Sequence, residues 1–322
     1  MRIKRVGRAA VVLAGLGCGG EPRPTAEDVV RTANPAARGL TDQDFPRVQR
    51  LADGVYSYEQ LRSAGDERFT TVSLFVVTAA GVLVADGQGS VTETQRLVDQ
   101  IARITNQPIT HVVICSDHGD HTAGNSAFPS QATFLAHPTS AGTLAASANA
   151  PNRAADAPPV ILPAELVDAE KVLRLGETEI RVLFLGRAHT GGDLVVHLPK
   201  ERILFMSETF LNRVFPAMRS AFPSEWAAMI RRAQAMDVDL FVPGHGFVDS
   251  PAVLREELET YRRAVEQVIA EGRRLRDAGL SADAAAQQAR FGELETWSLR
   301  ASQGGRAILR VFMELDGSLP AP

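Results

Sequence analysis

Cysteine is nearly absent from this chain: Cys18 and Cys115 are the 2 among 322 residues. That scarcity excludes a disulfide framework and a thiolate metal cage, so stability must come from a buried core and any metal must sit on nitrogen and oxygen. Neither sign of charge dominates; 34 basic and 38 acidic residues give a formal net charge of -4, which leaves no electrostatic footprint for nucleic acid. Long hydrophobic runs are missing as well, and no uninterrupted apolar stretch reaches the roughly 20 residues that a membrane-spanning helix needs. What is present, 45% hydrophobic and 22% charged residues, suits a globular enzyme with a sizeable core. Its partner is then expected to be a small-molecule substrate, with no protein partner implied.

The N-terminus differs from the rest. Arg2, Lys4, Arg5 and Arg8 precede a short apolar stretch that ends in Gly15-Leu16-Gly17-Cys18. A basic start, a short apolar core and small residues form the pattern of an export signal. Cys18 stands where a bacterial lipoprotein is acylated, although Gly15 occupies a position at which such signals usually carry Leu. The reading is a signal peptide of lipoprotein type over 1–18, a flexible spacer over 19–48 and one catalytic domain over 49–322. Location is then periplasmic or lipid-anchored, with membrane contact through the Cys18 anchor alone.

Periodicity alternates between strand and helix from residue 51 onward. Leu51–Tyr56 reads as a strand and its turn, and Thr71–Thr78 with Val82–Ala85 as a hairpin. Leu97, Ile101 and Ile104 place a helix over 92–105. Further strands are expected at 111–115, 133–136, 179–185, 194–198, 202–206 and 240–242. Helices are expected at 139–149, at 224–236 with Ser224 as N-cap, at 251–277 and at 282–290. Such alternation indicates a layered α/β fold.

Four of these strand ends carry histidine or carboxylate. They read Ser116-Asp117-His118-Gly119-Asp120-His121, Gly186-Arg187-Ala188-His189-Thr190-Gly191-Gly192-Asp193, Ser207-Glu208 and Pro243-Gly244-His245-Gly246. Imidazole and carboxylate are the zinc ligands other than thiolate, and a catalytic site keeps one position open for water. Loops leaving strand ends are where a rigid scaffold places reactive groups. One histidine alone would usually be an ordinary surface or core residue, but four such loops in one chain point to a site.

In these motifs the chain resembles the metallo-β-lactamase superfamily, whose pattern is His-x-His-x-Asp-His, a Gly-x-x-His-Thr-x-Gly-Asp stretch, an acidic residue after a strand, and Pro-Gly-His-Gly. The resemblance spans residues 50 to 316 and includes Asp86. It implies an αββα sandwich with the metal site at one edge between two sheets. It also implies His118, Asp120, His121, His189, Glu208 and His245 as metal ligands, with Asp120 catalytic because it orients the nucleophile. Two departures stand out: Ser116 replaces the first His, and Glu208 replaces the usual Asp. By the family's division of ligands, one metal keeps His118 and His189 while the other keeps Asp120, His121 and His245. One tightly held Zn ion and a weaker second are therefore expected, with iron and manganese open as alternatives.

The activity implied is hydrolysis of an ester, lactone, thioester or amide bond, β-lactams included, by hydroxide that a metal makes available near neutral pH. The alternative is a catalytically impaired metal- or small-molecule-binding protein on the same fold. Arg213 or Arg219 is expected to hold a substrate carboxylate, and the segment from Phe210 to Trp226 either lines the cleft or packs on the sheet. His111 and His137 read as structural, His197 as exposed at a turn and Cys115 as an inert buried thiol. Asp117, alternating away from His118, is the weaker candidate to replace the missing ligand.

Overall fold

The computed structural model describes residues 29–320; the export signal and Cys18 lie outside them. Arg47–Ala52 (β1) and Val55–Ala64 (β2) form a hairpin, and β2 turns into Glu67–Thr78 (β3). The first turn requires glycine: Gly54 has φ +69°, and a Cβ there would stand 2.6 Å from the Val77 carbonyl oxygen. Gly81–Ala85 (β4) pairs antiparallel with β3. Val91–Ile104 (α1) then crosses to Ile109–Ile114 (β5), parallel to β4. The single turn Gly119–Thr122 (α2) precedes Thr133–Ala136 (β6), and Pro138–Ala148 (α3) leads to Glu165–Leu166 (β7).

The second half begins with an antiparallel run of Glu170–Leu175 (β8), Thr178–Leu183 (β9), Val195–Leu198 (β10) and Ile203–Leu211 (β11). Pro223–Gln234 (α4) returns the chain to Leu240–His245 (β12), parallel to β11. Pro251–Asp277 (α5), Ala282–Gln288 (α6) and Arg300–Leu315 (α7) complete the fold. Strand order is β7-β6-β5-β4-β3-β12-β11-β10-β9-β8, and the two halves join at the pair His245↔Thr71.

Alternation along the strands decides which layer each side chain enters. Val72, Leu74, Leu83, Ala85 and Val113 enter the core between the half-sheets. Their neighbours Phe75, Val82, Val84, Val112 and Ile114 pack with Leu97 and Ile101 of α1 and Leu144 of α3. Burying Leu97 and Ile101 is worth about 1.5–3 kcal/mol each, and Ser90 caps α1 by accepting the Glu93 backbone N–H. Across the second half, Trp226 and Ile230 of α4, Tyr261 and Val265 of α5 and Ile308 of α7 close the outer face. The layers are thus helix, sheet, sheet, helix, as the resemblance implies.

Several expectations need correction. Residues 29–46 are docked rather than a free spacer: Ala33 is buried, Arg38 makes a two-pronged pair with Asp249 at 2.7 and 2.9 Å, and its guanidinium lies 4.2 Å from the Phe247 ring centre. Ser224 does not cap α4, which starts one residue earlier with Pro223; Glu314 of α7 accepts its N–H and hydroxyl instead. His197 is half-buried inside β10. The strand carrying Glu208 runs on to Leu211, so Glu208 lies within β11 instead of following it.

Candidate metal centre

The cluster forms at the seam between the half-sheets, where four segments arrive. After β5 the chain is stitched to the loop that follows β4, with Gly87 N–H donating to the His121 carbonyl and Gly124 N–H to that of Gln88. This places His118 at the start of α2 and drives the His121 side chain fully inside. The loop after β9 is held by Asp193, which accepts from the Thr190 N–H at 2.6 Å and hydroxyl at 2.8 Å. Burial pushes the Asp193 carboxyl up to about 7 against those bonds.

In β11 the ladder to β12 shifts register around Ser207, whose φ of +48° is strained for a residue with a Cβ. That irregularity turns Glu208 into the cluster. The strand beside it comes so close that a Cβ on Gly244 would stand 2.3 Å from the Ser207 carbonyl carbon, which is why β12 needs glycine just before His245.

Glu208 is the hub. Its Oε1 lies 3.2 Å from both His121 Nε2 and His245 Nε2 and 3.7 Å from His118 Nδ1, while its Oε2 lies 3.1 Å from His189 Nε2. Asp120 Oδ2 is 3.1 Å from His245 Nε2, and His118 Nδ1 is 3.0 Å from His189 Nε2. Two donor sets result: Asp120, His121, Glu208 and His245, and separately His118, His189 and Glu208, with the atoms of each set within 4.8 Å of one another.

The electrostatics fit a cation. Burial opposes ionisation of Glu208, yet His189 and His245 outweigh it and hold the carboxyl well below the usual range. Asp120 is likewise kept low, as its imidazole contacts outweigh burial and the Glu208 charge. Burial also disfavours a proton on His245, but Glu208 and Asp120 push it up to about 9. His189 falls to about 3 because burial wins there. Two ionised carboxylates among four imidazoles hold either protons or metal. His121 Nε2 is buried with no hydrogen-bond partner, a costly arrangement unless it serves as a ligand. The donor set therefore fits a divalent metal.

Groups behind the ligands fix some of them. His245 Nδ1 is 2.8 Å from the Thr70 carbonyl and keeps its proton there, so a metal that displaces the second proton, from Nε2, would meet that nitrogen's lone pair. His121 Nδ1 is 3.1 Å from Asp86 Oδ2, off the line of a hydrogen bond, and Asp86 is itself fixed by the Cys115 N–H and the Ser207 hydroxyl. The reading of the sequence gave Asp86 no role. A carboxylate at the end of β4, facing the motif that leaves neighbouring β5, is the signal that could have assigned one.

Other candidates land elsewhere. Ser116 is buried and its Oγ is 3.4 Å from the His118 N–H. Asp117 faces Thr143 and Ser140 of α3 and belongs to neither donor set. Burial pushes the Cys115 thiol well up. His137 caps α3 and stacks on Phe184 at 4.2 Å between ring centres. Arg213 is turned away: Glu257 takes its guanidinium on both prongs, at 2.5 and 2.8 Å, and Arg213 does not line the cavity above the cluster. Arg219 does. Phe210, Phe215, Met218, Phe222 and Trp226 are core residues, while Leu211, Val214 and Ala217 from the same stretch line this cavity of about 180 Å³.

Comparison with known proteins agrees with this fold. The profile of the metallo-beta-lactamase superfamily matches residues 67–245. A metallo-beta-lactamase type 2 of Bacillus sp. (strain 170) is 23% identical over 219 residues, covering 66% of this chain and 80% of the relative. The 2,4-dinitroanisole O-demethylase subunit alpha of Nocardioides sp. (strain JS1661) is 26% identical over 203 residues, 62% of this chain and 55% of that one. Among solved structures, a metallo-beta-lactamase from Pontibacter korlensis superposes with a TM-score of 0.59 at 20% identity, covering 68% of this chain and 98% of that one.

Proposed function

Since the chain belongs to the metallo-β-lactamase superfamily, we propose that it is a zinc-dependent hydrolase of an ester, lactone, thioester or amide bond in a small molecule. The observation that carries this reading is the convergence of six donors, His118, Asp120, His121, His189, Glu208 and His245, around the base of a cavity. Asp120, His121, His245 and Glu208 would hold the first ion, and the nitrogen and oxygen donors suit zinc. Bound there, a divalent metal supplies Lewis acidity and a nucleophile from water near neutral pH.

The chain's own groups do the rest. Thr70 keeps the proton on His245 Nδ1, so the ring presents one fixed tautomer. Asp120 lines the cavity and, ionised, accepts a hydrogen bond from the attacking water and orients it toward the carbonyl. Phe69, Leu211, Val214 and Leu299 wall the cavity with apolar surface, which excludes bulk water and strengthens each charge inside. The names of the relatives include a lactamase and an O-demethylase, so kinship leaves the scissile bond to experiment.

The test is to strip the protein with chelator, reload it with zinc, iron or manganese, and assay ester, lactone, thioester and β-lactam substrates. Metal-restored turnover of at least one, best with zinc, is expected. A fully loaded protein inert on all four would favour the binding-protein reading. Export is proposed on sequence alone: Cys18→Ser should move the protein from the membrane to the soluble fraction, and a wild type that is already soluble would reject the anchor.

A further inference from the structure

Three arginines reach the cavity above the donors: Arg62 from β2, Arg219 from the segment between β11 and α4, and Arg306 from α7. Many other arginines are matched with carboxylates, as Arg38 is with Asp249, Arg202 with Asp239 and Arg262 with Glu259, while the unmatched Arg96, Arg103 and Arg273 lie on the outer surface away from this cavity. Among the described residues, neither Arg219 nor Arg306 has a carboxylate within 4.0 Å or a hydrogen-bond partner, whereas Arg62 faces Asp120 at 3.5 Å. The carboxylates of the lining are Asp120 and Glu208, and both are turned toward the imidazoles. A guanidinium is a planar fork suited to two-pronged recognition of a carboxylate. Arg62 and Arg306 also lie outside residues 67–245, the stretch shared with the family profile. Gln303, one turn before Arg306 on α7, adds an amide to the same wall.

We propose that Arg219 and Arg306, with Arg62 beside Asp120, form an anion subsite, so that the substrate bears a carboxylate set apart from the bond that is cut. The proposal rests on the hydrolase reading only for the word substrate, because the subsite can be measured by binding without turnover. Leu211, Val214 and Leu299 would pack the short apolar part between the two ends. In this arrangement α7 contributes to specificity as well as to packing.

The test is calorimetric titration of the purified, zinc-loaded protein with glutarate, with monomethyl glutarate and with inorganic phosphate. Both organic ligands offer one carboxylate to the zinc that the donor cluster would hold, and glutarate alone offers a second to the arginines. Glutarate should bind roughly tenfold more tightly than its ester, or about 1.4 kcal/mol, the gain of one added charge-assisted pair at an exposed site. That preference should shrink as salt rises and vanish in the Arg219→Ala, Arg306→Ala double variant. Both positions are exposed, so the fold should survive, with circular dichroism as the check. Equal affinity for diacid and ester, or a preference that survives the double variant, would overturn the subsite. Arginine-dependent binding of phosphate without binding of glutarate would overturn its assignment to a carboxylate. A missing subsite would leave the hydrolase reading intact, and arginine-dependent glutarate binding by a protein inert in every assay would do the reverse.

Discussion

The two sides of Glu208 are supported differently. On one side, His245 has its rear nitrogen on the Thr70 carbonyl and His121 has its own beside Asp86, and Asp120 joins them. On the other side, the remaining ring nitrogens, His118 Nε2 and His189 Nδ1, are buried with no hydrogen-bond partner, as His121 Nδ1 is too, but no second carboxylate stands beside them as Asp86 stands beside His121. There Ser116 occupies the position at which the family carries a further histidine, and Glu208 is the only acidic member of the donor set. Ligands with a fixed tautomer and orientation lose less freedom on binding metal. The difference teaches that one sequence can keep a family's motif while investing its supporting structure in half of it. The Asp120 side should therefore hold the working metal.

The largest effects should come from the better-built side. His245→Ala and Asp120→Ala should each lose more than about 100-fold in metal affinity and abolish hydrolysis, because loss of a mere supporting partner already costs about 10–100-fold. Equilibrium competition against a chromogenic chelator reads the first effect and the substrate panel the second. A folded Asp120→Ala protein with full activity would reverse the assignment of the two sides.

Next in size is Asp86→Asn. It keeps the shape that accepts the Cys115 N–H but removes the charge beside His121. Metal affinity should fall about 10–100-fold. An unchanged affinity would mean that Asp86 serves the fold alone, and urea unfolding of both proteins separates that outcome from general destabilisation.

Smaller changes belong to the other side. His118→Ala removes a donor from a set already short of one, so the tight ion and most of the activity should remain, with a loss of roughly tenfold or less. Ser116→His should raise affinity for a second metal, measured by titrating zinc into protein that already holds one equivalent. A His118→Ala variant as inert as Asp120→Ala would remove the asymmetry altogether.

Some of this centre is legible in sequence for a physical reason. Loops that carry ligands out of strand ends need glycine and short polar residues, so His118 and His189 announce themselves in clustered, glycine-flanked motifs; His245 does so too, although β12 runs on past the expected 240–242 and His245 is its last residue. Strand periodicity similarly marks β4 and β6, and helical periodicity α5, close to their observed bounds, whereas β3 begins at Glu67, four residues before the expected Thr71. What sequence hides is pairing at a distance. Arg213 is an unassigned arginine until α5 brings Glu257 to it, 44 positions away. Arg62 and Arg306 join one cavity although 244 positions separate their numbers, because β2 and α7 approach the same seam. Glu208 is read as following its strand because no periodicity signals the irregularity at Ser207 that lets β11 continue through it. The docked residues 29–46 read as a spacer because their composition is loop-like and the partners of Arg31 and Arg38 lie more than 200 positions away.

The asymmetry of the two sides is tested most directly by metal content. Purified protein, loaded with excess zinc and dialysed against stepwise increases of a chelator, should fall early to one equivalent and hold there over a wide range before losing the last ion. His118→Ala should begin at that plateau. Two equivalents lost together in a single step would contradict the account, because both donor sets would then bind metal with the same strength.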